Sequence, residues 1–136
     1  MKIVVDSNRV IAALIKNSTT REILFDEGIE FVAPDFVKTE IQKYRDDIIK
    51  KAHLTLKEFD ILLSMIFEYI EIIPKSDYEK QIHSFKGEIT DQKDIPYLVA
   101  SLATNADGVW SHDPHFLKQK KVKIFTNIDM LNMNRN

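Results

Sequence analysis

The spacing of apolar residues along this chain switches repeatedly between the period of a strand and that of a helix. Ile3-Val4-Val5 is an unbroken β-branched run, the pattern of a strand buried on both faces. Val10 to Ile15 reads as a short helix. Thr19-Thr20-Arg21-Glu22 has the spacing of a capping box and opens a second helix through Ile23, Leu24 and Phe25. Phe31-Val32-Ala33 predicts a strand punctuated by Pro34. Asp35 is placed to N-cap a long helix, in which Phe36, Val37, Ile41, Tyr44 and Ile48 fall at helical spacing. Thr55 and Glu58 make another capping box, before a helix running to about Tyr69. Ile70 to Ile73 then continue as a strand up to Pro74, and Ser76 with Glu79 makes a third box. A helix from about Asp94 to Ala103 carries Ile95, Leu98, Val99 and Leu102 on one side. Gly108 to Ser111 and Val122 to Phe125 are the last strands, and a short helix from Asn127 to Met133 closes the pattern.

Strands that alternate with helical crossovers imply an α/β fold with a parallel sheet covered on both faces. Such sheets take their ligands beyond the carboxyl ends of the strands. The 136 residues fit one domain, 1–136, with no linker, repeat or low-complexity stretch. The absence of cysteine excludes disulfides, thiolate metal sites and cysteine nucleophiles. Lys plus Arg number 19 against 21 Asp plus Glu, a net charge of −2, so nucleic-acid contact would need a local patch. No run has the length of a membrane span or the form of a signal peptide, and the expectation is a cytoplasmic protein.

Most of the 21 acids are ordinary solvated charges, but four fall where the pattern points inward or toward the carboxyl edge. Asp6 follows the buried run Ile3-Val4-Val5, where it could equally cap the next helix. Glu40 lies inside the apolar stripe of its helix, one turn after Phe36 and one turn before Tyr44, where a salt bridge is the ordinary alternative. Asp94 shares a side with Leu98 and Leu102, although a first-turn Asp is also favoured by the helix dipole. Asp113 comes just after Val109-Trp110-Ser111, where Pro114 also suits a turn. Asp91, three residues before Asp94, reads as the cap of that helix. Carboxylates gathered in a small space need cations to offset their repulsion, and hard oxygen ligands suit Mg²⁺ or Mn²⁺. The chemistry such a cluster predicts is phosphodiester hydrolysis.

These segments resemble the motifs of PIN domains. Ile3-Val4-Val5-Asp6-Ser7-Asn8 resembles the first, a strand ending in Asp, then Ser or Thr, then Asn. Pro34 followed by the helix with Glu40 resembles the second. Lys93-Asp94-Ile95-Pro96-Tyr97-Leu98-Val99-Ala100 resembles the third, and Trp110-Ser111-His112-Asp113-Pro114-His115-Phe116 the fourth. The resemblance implies a three-layer α/β/α fold around a mainly parallel five-stranded sheet. It implies a Mg²⁺- or Mn²⁺-dependent endoribonuclease with Asp6, Glu40, Asp94 and Asp113 as its acids, and Asn8 and Ser111 orienting them. Many small members are toxins blocked by an antitoxin peptide, which makes an antitoxin an expected partner beside single-stranded RNA.

Arg9 departs from the apolar residue expected there, and could contact a phosphate or fold back onto the acids. It lends weight to the rival reading, a non-catalytic module binding RNA or protein. A phosphatase using Asp6 as nucleophile would want a second Asp where Asn8 stands, and a receiver's Lys cannot be placed. His112 and His115 read as surface loop residues. Lys118, Lys120, Lys121 and Lys123 form a candidate phosphate-tracking patch. The helix carrying Phe59, Ile61, Leu62, Leu63, Met65, Ile66 and Phe67 is apolar on more than one side, which points to a homodimer face.

Overall fold

The structure, a computed structural model, describes residues 1–85 and 91–133. Five strands form one sheet: β1 (Lys2–Val5), β2 (Glu30–Pro34), β3 (Ile70–Ile73), β4 (Gly108–Trp110) and β5 (Ile124–Phe125). All neighbours run parallel, in the order β3-β2-β1-β4-β5. Val4 pairs with Val32 on one side and Val109 on the other. Ile3, Val4 and Val5 are fully buried although successive side chains point to opposite faces, so both faces are covered. The expected five-stranded parallel α/β architecture is present.

The helices are α1 (Ser7–Leu14), α2 (Ser18–Leu24), α3 (Phe36–Lys43), α4 (Arg45–Ala52), α5 (Leu56–Phe67), α6 (Ile95–Ala103) and α7 (Asn127–Met133). The chain steps outward from β1 through β2 to β3, then returns past β1 to β4 and β5. The direction therefore reverses between β1 and β4, and the crevice beyond their carboxyl ends is where such sheets bind ligands. Asp6 directly follows β1 and Ser111 directly follows β4. The ladder holds them together, with Asp6 N donating to the Trp110 carbonyl at 3.1 Å. No helix among the described residues is long and apolar enough to cross a membrane.

Several local expectations are corrected. Asn17 caps α2, its side chain accepting from Thr20 N, and the Thr19 box is not used. The cap lies two residues earlier than the Thr19 box would put it, because helix α2 begins at Ser18. The long helix after Asp35 is two helices, broken at Tyr44. The apolar spacing continues across the break, so periodicity alone could not reveal it. Asp35 does not cap α3; its carboxylate accepts from Tyr78 Oη at 2.6 Å and Lys75 N at 3.1 Å. That contact ties the edge of β2 to the 3-10 turns at Lys75–Asp77 and Glu79–Phe85, which replace the helix expected from the Ser76 box. The Thr55–Glu58 box is formed as expected, with both reciprocal bonds present.

β5 is only two residues long, yet it supports the site through Ser111 N, which donates to the Phe125 carbonyl at 3.1 Å. Gly108 permits this approach. A Cβ there would collide with the Lys123 carbonyl oxygen and come within 2.6 Å of Phe125 Cε2. Gly108→Ala is therefore expected to destabilise the fold by about 1–3 kcal/mol, the usual range for forced overpacking. Urea unfolding of the variant measures this, and an unchanged midpoint would mean that β5 does not depend on the close contact.

Candidate metal centre

Asp6 ends β1 and is 5% exposed. Ser111 Oγ donates to its Oδ2 at 2.7 Å. Ser111 Oγ itself accepts from Asn8 Nδ2 at 3.2 Å and from Asp113 N at 3.0 Å. With both acceptor positions taken, the one hydroxyl hydrogen is committed to Asp6. Asn8 is oriented in turn by Arg9, whose Nε donates to Asn8 Oδ1 at 3.0 Å. A guanidinium can only donate, so Asn8 must turn its carbonyl to Arg9 and its amide nitrogen to Ser111.

Arg9 thus does not fold back to hydrogen-bond the acids among the described residues. It is 8% exposed, and its Nη1 donates to Thr20 Oγ1 and Asn127 Oδ1 at 3.4 and 3.3 Å. Burial lowers its pKa, against the pull of the Asp6 charge. Asn127 Oδ1 also accepts from Trp110 Nε1 at 2.8 Å, and the Asn127 backbone N–H donates to His112 Nε2 at 3.0 Å. His112 is exposed, as expected, but it caps the start of α7. Burial and the Arg9 charge lower its pKa, which suits a neutral acceptor nitrogen.

Glu40 is buried on α3, and no salt bridge reaches it among the described residues. Tyr97 Oη donates to Glu40 Oε1. Tyr97 lies one turn after Asp94 on α6 and packs edge-on against Phe36 and Phe116, at ring separations of 6.4 Å. Its burial and the Glu40 charge raise its pKa, so it remains a donor. Tyr97 was not singled out among the sequence candidates. The one available clue was a phenol at i+3 from Asp94 in an otherwise aliphatic helix.

Asp94 is 6% exposed, and its Oδ2 is buried with no hydrogen-bond partner among the described residues. It stands at the head of α6 without capping it. Asp91 instead closes the preceding turn, its Oδ1 accepting from Lys93 N at 3.0 Å and its carbonyl from Asp94 N at 3.2 Å. Asp113 is half-buried; its Oδ1 accepts from His115 N at 2.9 Å and lies 3.1 Å from His115 Nδ1.

The four acids sense one another. Burial pushes Asp6 up to about 7, opposed by the Ser111 hydroxyl and reinforced by the charges of Glu40 and Asp94. Burial also pushes Asp94 up to about 7, with Asp113, Asp91 and Glu40 adding repulsion and His115 offsetting part of it. The structure also draws Asp91 and His115 to Asp94, with one ligand atom from each lying within 4.8 Å of the others. His115 is exposed, as expected of a loop residue, but it belongs to this cluster. The lysines divide differently. Lys121 and Lys123 line a hollow with Asn105 and Asp107 at the amino ends of β4 and β5, across the sheet from the acids.

Hard oxygen donors, mutual repulsion and an orphaned Asp94 Oδ2 fit a divalent cation. Without one, Asp6 and Asp94 hold their protons more tightly folded than unfolded. Their stabilising contribution is then fully present below about pH 4 and is lost as pH rises through about 7. In chelator the protein is expected to lose a few kcal/mol of stability between about pH 5 and 8 from these two groups. Mg²⁺ or Mn²⁺ should restore more stability at pH 8 than at pH 5, and Asp94→Asn should flatten the slope. Melting curves across pH measure this; a slope identical in wild type and Asp94→Asn would contradict it.

No curated protein matches the sequence. The fold is similar to that of a chain in the crystal structure of VapBC2 from Rickettsia felis bound to a DNA fragment from their promoter. The TM-score is 0.69 at 17% identity, over 93% of this chain and 98% of that chain, a likeness of fold alone. Residues 4–129 match the PIN domain, from β1 into α7. With nearly the whole sequence inside that match, the chain belongs to the PIN domain family.

Proposed function

We propose that this chain is a metal-dependent endoribonuclease that hydrolyses RNA phosphodiester bonds, with Asp6, Glu40, Asp94 and Asp113 holding Mg²⁺ or Mn²⁺. The observation that carries the reading is the buried Asp94 Oδ2 at the head of α6, without a hydrogen-bond partner among the described residues and set among acids that repel it. A divalent cation bound there would polarise a phosphate oxygen and make a water nucleophilic at neutral pH.

The contribution of the chain is positional. Ser111 commits its proton to Asp6 Oδ2, and Ser7 Oγ donates to Oδ1 at 3.5 Å, which leaves Oδ1 a lone pair for a ligand. Tyr97 fixes Glu40 through Oε1 and leaves Oε2 for a ligand. Phe36 and Phe116 pack edge-on against the Tyr97 ring and so hold the phenol that fixes Glu40. Arg9 was the motive for a non-catalytic reading. It is engaged by Asn8, Thr20 and Asn127, and no hydrogen bond joins it to the acids among the described residues.

An antitoxin protein is proposed as partner, in line with the family resemblance and with the VapBC2 structure, and the cytoplasm as the compartment. A homodimer through α5 is proposed from Ile61 and Met65, each about half exposed on that helix. RNA contact is proposed to include Lys118 at the end of the turn after Asp113, with Lys120 and Lys121 extending it away from the acids.

Single-stranded RNA should be cleaved in Mg²⁺ or Mn²⁺ and spared in EDTA. Asp94→Asn is expected to lower the rate by orders of magnitude while the protein stays folded. Ser111→Ala should cost about 10–100-fold in activity or metal affinity, as loss of a ligand-orienting group does. Cleavage that persists in EDTA, or in Asp94→Asn, would refute the assignment.

A further inference from the structure

We propose that Asp91, Asp94 and His115 form a second cation site at the mouth of the acidic cluster, sharing Asp94 with it, and that this site selects a first-row transition-metal ion such as Mn²⁺ over Mg²⁺. The proposal extends the metal centre described above and does not require that RNA be the substrate.

Three observations converge. One ligand atom from each of the three side chains lies within 4.8 Å of the others, a spacing that one ion can bridge. Asp94 is 6% exposed and its Oδ2 has no hydrogen-bond partner among the described residues, a buried acceptor that needs a positive ligand. His115 is held beside the acids, with its backbone N–H donating to Asp113 Oδ1 at 2.9 Å and its Nδ1 3.1 Å from that oxygen. No ring N–H hydrogen bond of His115 is present among the described residues, so an imidazole lone pair can face a cation.

Asp91 spends one oxygen on the Lys93 N–H, a bond that fixes the turn and with it the carboxylate. Asp94 lies within reach of Asp91 and His115 as well as of the other acids, so its buried carboxylate can bridge two cations. The ligand type sets the preference. Mg²⁺ favours oxygen ligands and keeps much of its water, while imidazole suits transition metals. A site with one nitrogen and two carboxylates therefore discriminates between ions that the all-oxygen cluster of Asp6, Glu40, Asp94 and Asp113 would treat alike.

The test uses the full chain without RNA. Mn²⁺ and Mg²⁺ affinities are measured by calorimetric titration, and nitrogen coordination by electron spin-echo modulation of bound Mn²⁺. Wild type should show imidazole nitrogen modulation and bind Mn²⁺ at least about tenfold more tightly than Mg²⁺. His115→Ala, a change at an exposed side chain, should remove the modulation and most of the Mn²⁺ preference while Mg²⁺ affinity stays within about twofold. Asp91→Asn should weaken both ions. Retention of modulation and preference in His115→Ala, or equal loss of both metals, would overturn the second site. An uncleaved RNA beside an intact His115 effect would instead refute the nuclease reading and leave this site standing.

Discussion

Two carboxylates, Asp6 and Asp94, are buried against an apolar sheet edge with no cationic side chain hydrogen-bonded to either among the described residues. Burying a carboxylate without a counter-charge costs several kcal/mol, unless it takes up a proton or a metal. Much of the surrounding structure follows from that cost. The Arg9–Asn8–Ser111 chain offers Asp6 one strong donor without a salt bridge that would compete for its other oxygen. Tyr97 does the same for Glu40 from another helix. Each acid is steadied by a neutral hydroxyl, which orients a carboxylate without neutralising it.

The sheet topology makes this arrangement affordable. The reversal between β1 and β4 opens a crevice where Asp6 and Ser111 emerge side by side, already joined by the ladder. The helices α3 and α6 bring Glu40 and Asp94 from the flanks. Arg9 does its work from behind the acids, anchored by Thr20 on α2 and Asn127 on α7. Three elements distant in sequence therefore support one carboxylate, and Asn127 also ties in Trp110 and His112.

Much of this was legible from residue order. Continuous β-branched strands announced a parallel sheet, and Asp6, Glu40 and Asp94 each broke an apolar pattern at a point that proved to be buried. Asp94 was separable from Asp91 by its i+4 relation to Leu98, and it is the buried one of the two. What could not be read were contacts between residues far apart in the chain. The Arg9 side chain has no local partner beyond Asn8, so its links to Thr20 and Asn127 need the fold. Asp35 had a plausible capping position but found a better donor in Tyr78, 43 residues away. The lysines after Asp113 are close to it in sequence, yet the turn and β5 carry Lys121 and Lys123 to the far edge of the sheet. His115 reads as a surface loop residue from its place after Asp113 and Pro114, and nothing in that local order shows that the turn brings its ring within reach of Asp91 and Asp94.

The central claim is that the buried acids exist to hold a divalent cation. Anomalous scattering from crystals soaked in Mn²⁺ tests it most directly. The account predicts a peak bonded to Asp94 and reaching the crevice between Asp6 and Glu40. Manganese found only on exposed acids such as Asp46 and Asp47, with the Asp94 carboxylate still unliganded, would contradict it.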